Sequence, residues 1–141
     1  MSLDEVAEKA LEHDANRTVI VDRWQRGFSK IEFFHVVASG LVHVPPILYV
    51  AGIRLQREFA FARLKPVHSM VIIRPATNLM EIADSLSKFF NLPVSLEKEA
   101  LSKYPVAMRI SHDATRRVQI TFMLLPQKVE VGPRITMRRV E

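Results

Sequence analysis

Residues 17–37, RTVIVDRWQRGFSKIEFFHVV, decide the fold. β-Branched and aromatic side chains dominate, bounded by Asn16 before and Ala38-Ser39-Gly40 after, so the stretch reads as strand, turn, strand. Arg17 to Asp22 is the first strand. Its Val19, Ile20 and Val21 run without polar alternation, which predicts burial on both faces. Arg23 to Gly27 is a turn. Ser29 to Val37 returns as the second strand, with Ile31, Phe33 and His35 on one side and Lys30, Glu32 and Phe34 on the other.

Working toward the N-terminus, Ser2 and Glu5 form a capping box, and Leu3, Val6, Ala7, Ala10 and Leu11 repeat at helical spacing. A helix from Leu3 to His13–Asn16 is predicted. Working toward the C-terminus, Pro45 and Pro46 break the chain, and 47–56 is a strand kinked or bulged at Gly52. Residues 59–65 make a basic connector and His68 to Arg74 a further strand. Thr77 caps a helix running to Asn91, with Leu79, Ile82, Ala83, Leu86, Phe89 and Phe90 as its apolar stripe. Residues 94–104 hold a short strand and a helical turn. Val106–Ile110 and Arg117–Leu125 are strands joined by Ser-His-Asp-Ala-Thr, and 128–131 pairs with 135–140 around Gly132-Pro133. The order predicts an α/β (α+β) chain of mixed sheets with packed helices, not a regular βαβ repeat. Two halves meet near Gly40 to Pro46, each offering a helix, strands and a basic tail.

The chain has 141 residues, the size of one domain, and an ordinary globular composition of 48% hydrophobic and 25% charged residues. It has no cysteine, which excludes disulfides, thiolate metal sites and cysteine nucleophiles. No apolar run reaches the roughly 20 residues of a membrane helix, and no signal segment opens the chain, so a soluble cytoplasmic protein is expected.

The charge is uneven. The net is +5, yet residues 1–16 carry Asp4, Glu5, Glu8, Glu12 and Asp14 against Lys9 alone. Thirteen of the twenty basic residues are Arg, which contacts phosphate bidentately and stacks on bases. They fall in clusters: Arg23, Arg26 and Lys30 around Trp24 and Phe28; Arg54, Arg57, Arg63 and Lys65 around Phe59 and Phe61; Arg116 and Arg117; and Arg134, Arg138 and Arg139. Cations interleaved with aromatics suit unpaired RNA. Trp24 and Phe28 serve equally as a hydrophobic plug under the hairpin; an Arg cluster can also be a solvated rim, but four basic residues against Glu58 alone over 54–65 favour binding.

Catalytic chemistry is thinly represented. There is no nucleophile elbow, P-loop or dinucleotide fingerprint, and the four glycines stand singly. The five histidines lack metal-ligand spacing. His35 and His43 read as strand histidines, and His112-Asp113 as a hairpin turn. No cofactor is called for, and the chain is expected not to be an enzyme.

The runs 1–11, 17–24, Gly27 with 30–34, and 47–58 (ILYVAGIRLQRE) resemble the archaeal Brix-domain family, over most of the chain. In that family an acidic amphipathic helix leads into a hydrophobic strand, a basic glycine-containing turn, and a strand of the form basic-hydrophobic-Glu-Phe. The resemblance implies one domain over 1–141 built of two similar halves, about 1–44 and about 45–141. Each half would be related to the anticodon-binding domain of class II aminoacyl-tRNA synthetases. It also implies a non-enzymatic rRNA-binding factor of ribosome biogenesis, acting in rRNA processing or subunit assembly. Its RNA-binding residues would be Arg23, Trp24, Arg26, Lys30, Arg54, Arg57, Arg63, Lys65, Arg116, Arg117, Arg138 and Arg139. The family turn often has Gly-x-Pro where this chain has Arg26-Gly27-Phe28. Family members also begin with a strand–helix–strand unit before the position of Met1, so the first half reads as truncated, with an exposed sheet edge. The alternative is a module that docks a ribosomal or assembly protein through the acidic helix or that edge.

Overall fold

The computed structural model describes residues 2–25, 28–54 and 69–141, with the side chains of Trp24 and Gln25 outside the description. Helix α1 (Leu3–Glu12) is capped as its sequence demands, the Glu5 N–H donating to Ser2 Oγ at 3.2 Å. Strands β1 (Arg17–Gln25), β2 (Phe28–Val37) and β3 (Gly40–Arg54) follow as an antiparallel meander. Then come β4 (Met70–Ile73), a 3₁₀ turn at Thr77–Leu79, α2 (Met80–Phe90), β5 (Val94–Ser95), α3 (Glu97–Lys103), β6 (Val106–His112), β7 (Val118–Leu124), β8 (Val129–Glu130) and β9 (Arg134–Val140).

The nine strands of the described residues join one mixed sheet in the order β1-β2-β3-β9-β7-β6-β4-β5, with β8 beside β7. β4 runs parallel to both β5 and β6, because helices α2 and α3 carry the chain across a sheet face; the other pairings are antiparallel. β9 stitches the two halves of the sheet together along β3.

Five local readings change in the fold. First, β1 is an edge strand, with Val19 and Val21 43% and 60% exposed. An unbroken apolar triplet marks β propensity, and it is the neighbours that decide whether a face is covered. Second, the β1–β2 turn is short. Gln25 pairs with Phe28, so Arg23 and Trp24 belong to the strand. Third, β3 passes through Pro45 and Pro46 without breaking. Pairing with β2 jumps from Phe33–Val44 to Ile31–Leu48, so the prolines lie in a bulge where no ladder donor is required. The Ile47 N–H donates instead to the Glu141 carbonyl at 2.7 Å. Fourth, Thr77 starts a 3₁₀ turn and gives α2 no side-chain cap; the cap residue is Leu79. Fifth, residues 128–131 and 135–140 do not pair with each other. β8 and β9 both pair with β7, at opposite ends of it.

The bulge foreseen at Gly52 is present, since β3–β9 register shifts on both sides of Val50.

One sheet face packs against α2. Leu79, Ala83, Leu86 and Phe89 of the helical stripe meet Ile31, Phe33, Leu48, Val50, Ile72, Met108, Ile120 and Met137 of the sheet. Asn91, in the left-handed region at φ 54°, ends the helix, and Pro93 follows. The reverse face carries α3 over Val71, Ile73, Ala107, Met123 and Leu125. It also carries α1, which packs on β2 and β3 away from the α2 cluster. Neither α1 nor α3 packs substantially on β9. Among the described residues, the part of the reverse face where β3 meets β9 thus has no helix packed substantially on β9.

Candidate nucleic-acid interface

Strand alternation sorts the basic residues by face. Phe33 faces α2, so Phe28, Lys30, Glu32 and Phe34 of β2 face the reverse side. Lys30 pairs across the ladder with Tyr49, and Tyr49 with Arg139. Arg54 pairs with Arg134 one bulge further along β3. The bulge between Met137 and Arg139 turns Arg138 to the same side, where its guanidinium sits 5.1 Å from the Phe28 ring centre. Arg139 sits 4.2 Å from that of Tyr49. Lys30, Arg54, Arg138 and Arg139, drawn from three separate sequence clusters, therefore share one strip of the reverse face.

The strip is not uniformly positive. Lys30 Nζ lies 3.1 Å from Glu32, and this hydrogen bond holds the ammonium above its ordinary pKa. Arg139 Nε lies 3.2 Å from Glu141, which also accepts from the Tyr49 hydroxyl at 3.1 Å. Arg138 is exposed and has no carboxylate partner among the described residues.

The remaining expected site residues scatter. Arg23 shares the α2 face with Val19 and Val21, so the β1–β2 hairpin separates it from Lys30 rather than gathering the two around one turn. Arg116 and Arg117 are exposed in the β6–β7 turn. Asp113 accepts there from the Thr115 hydroxyl at 2.7 Å and the Arg117 N–H at 2.9 Å. His112-Asp113 is thus a turn, and the Thr115 hydroxyl bond keeps the Asp113 carboxyl below its usual range. Arg26, Arg57, Arg63 and Lys65 lie outside the described residues, as does the side chain of Trp24.

Sequence reading missed the role of Tyr49. Its alternation with Leu48 and Val50 on the strand read over 47–56 is the signal that would have found it.

Other cations are held by structural pairs. Arg134 binds Glu130 through two bonds of 2.7 and 2.5 Å. Glu97 of α3 accepts from Arg109 of β6 and lies 3.2 Å from Lys128, tying helix, strand and the β7–β8 turn together. Lys128 foremost, with Arg109, holds the Glu97 carboxyl below the usual carboxylate pKa. A depressed carboxylate contributes stability above its unfolded pKa and loses it as pH falls through the folded one. Glu97→Gln is therefore expected to cost less than about 1 kcal/mol at neutral pH, because the groups are solvent-screened. It should also flatten the fall of Tm between about pH 5 and pH 3, and an unchanged Tm–pH curve would deny the clamp its role.

On the α2 face, Val19, Val21 and Phe90 open onto a groove of about 240 Å³ floored by Ile31, Phe33 and Leu48. Its lining is apolar throughout, without the convergent polar groups of a small-molecule site. Among the described residues no metal-holding cluster occurs, and no helix is long and apolar enough to cross a membrane.

No family model and no curated protein matches the chain. Solved structures do. A probable ribosomal biogenesis protein from Aeropyrum pernix superimposes with a TM-score of 0.71 at 22% identity, over 97% of this chain and 75% of that one. Mil, an archaeal Imp4-like protein, gives 0.59 at 15% identity, over 100% and 76%. The fold is thus the mixed α+β fold of Brix-type proteins, as the sequence resemblance implied.

Proposed function

We propose that the chain is a non-enzymatic rRNA-binding factor of ribosome biogenesis, a single Brix-type domain over 1–141 acting in rRNA processing or subunit assembly in the cytoplasm. The observation that carries this reading is the convergence of Lys30, Arg54, Arg138 and Arg139 on one strip of sheet, beside the rings of Phe28 and Tyr49. A sheet surface that gathers four cations beside aromatic rings suits RNA better than any catalytic role. The two structural neighbours, a probable ribosomal biogenesis protein and an Imp4-like protein, support the ribosomal setting. The test is binding of nuclease-treated protein to rRNA of its source organism across a salt series, with duplex DNA as competitor. A steep negative log–log slope and preference for rRNA are expected. Absence of binding at moderate salt overturns the reading.

A second reading rests on the edge. Among the described residues nothing pairs with the outer side of β1, and Val19 and Val21 stand exposed between Arg17 and Arg23 on the same face. This edge suits an added strand from a ribosomal or assembly protein. That strand would have apolar residues at alternate positions and acidic residues at its ends. A synthetic peptide of three Val-Thr repeats flanked by glutamates is expected to bind the wild-type chain and not Val21→Asp; failure to bind wild type removes this reading.

A further inference from the structure

We propose that the Arg138–Arg139 strip takes unpaired RNA bases rather than duplex, stacking them on the outward faces of the two guanidinium planes. This rests on the RNA-binding reading above and narrows it to a substrate class.

Each guanidinium is seated over a ring of its own chain, Arg138 on Phe28 and Arg139 on Tyr49. A cation held over an aromatic face is attracted to the ring quadrupole, so these side chains are oriented before any ligand arrives. A planar guanidinium with a ring on one side can offer its other face to a base, and both arginines are exposed. The Arg139 side chain is 51% exposed although Tyr49 below it is buried. Tyr49 is buried and Phe28 half-buried, so the exposed arginines beside them are the groups a base reaches, and base, guanidinium and aromatic then form a three-layer stack.

The charge arrangement favours bases over phosphates at this spot. Arg139 lies against Glu141, and Lys30 against Glu32, so much of the positive charge is already answered. Two carboxylates beside the strip disfavour close packing of a double backbone, with its one charge per 1.7 Å. A neutral base plane meets no such penalty. The in-plane N–H groups of Arg138 remain available for the phosphate of the same nucleotide. Arg138 and Arg139 are also adjacent and displaced by the β9 bulge, so both point to one side where a regular strand would send them to opposite faces.

The experiment compares a 12-nucleotide unstructured oligoribonucleotide with a 12-base-pair RNA duplex by fluorescence anisotropy, using wild type and the Arg138→Lys/Arg139→Lys chain. Lysine keeps the charge and removes the plane. Wild type is expected to prefer the single strand. The double lysine variant should lose about fivefold or more in single-strand affinity, with the salt slope and duplex binding unchanged. Equal affinity of the lysine variant for the single strand, or a wild-type preference for duplex, overturns the stacking inference while leaving RNA binding intact. Failure of wild type to bind either RNA overturns the RNA reading itself, and the stacking inference with it. Unaltered thermal stability of the variant separates lost stacking from lost folding.

Discussion

Arg54→Ala and Arg138→Ala in one chain are expected to lower rRNA affinity about 100-fold at low salt and to make the log–log salt slope shallower by about 1.5. Each exposed arginine is read as one phosphate contact, worth roughly tenfold in affinity and 0.7 to 1 in slope. Both lie on the reverse-face strip, Arg54 at the end of β3 and Arg138 at the bulge of β9, so the losses should add if one RNA strand runs along it. The loss should be uniform across RNA sequences, because a phosphate contact reads no bases. Both side chains are exposed, so the unfolding midpoint should stay near that of wild type. Filter binding at four or five salt concentrations measures slope and affinity together. An unchanged slope would remove the strip from the RNA surface and turn attention to Arg116 and Arg117 in the β6–β7 turn.

The second large effect is on stability. Phe89→Ala is expected to cost about 3–5 kcal/mol, read from urea unfolding at constant m-value. Phe89 is 1% exposed and its ring meets Phe33 at 5.0 Å, Phe90 at 5.0 Å and His35 at 5.7 Å. It is the main ring by which α2 holds β2. Truncation loses the transfer energy of the ring and leaves a cavity next to a groove that is already open. Out of a total of about 5–15 kcal/mol for a domain, this is a large share. A loss below about 1 kcal/mol would mean that α2 holds the sheet through Leu79, Ala83 and Leu86 instead. Phe90 supplies the contrast. It is partly exposed at the groove mouth, so Phe90→Ala should cost much less than its neighbour.

These two expectations show how unevenly the molecule can be read from its residues. The capping box at Ser2, the stripe from Leu79 to Phe89 and the turn at Asp113 are local patterns, and each formed as local chemistry requires. Short-range features depend on neighbours three or four positions away, which the residue order displays directly. The resemblance to Brix-type proteins carried the architecture further than periodicity did, and the fold agrees with it.

Burial of β1 could not be read in the same way. Val19, Ile20 and Val21 look like an interior strand, but strand order alone decides which strand has a neighbour on each side, and among the described residues β1 has one. The double proline was read as a break because prolines remove donors; a bulge opposite Glu32 removes the need for one.

The candidate interface divides along the same line. Its ingredients, an arginine excess interleaved with aromatics, are properties of composition and spacing and were visible from the residues alone. Their assembly was not. Lys30, Arg54 and Arg138 are separated by 24 and 84 positions in the chain, and only the β2-β3-β9 pairing brings them side by side. Arg23 and Lys30, seven apart, are sent to opposite faces by a hairpin of fixed register. Side-chain direction in a sheet has a period of two, so one residue of register or one bulge reverses a face, and long-range pairing, not local propensity, sets register. Residue types determined what this surface is able to bind; tertiary pairing decided which of them stand together to bind it.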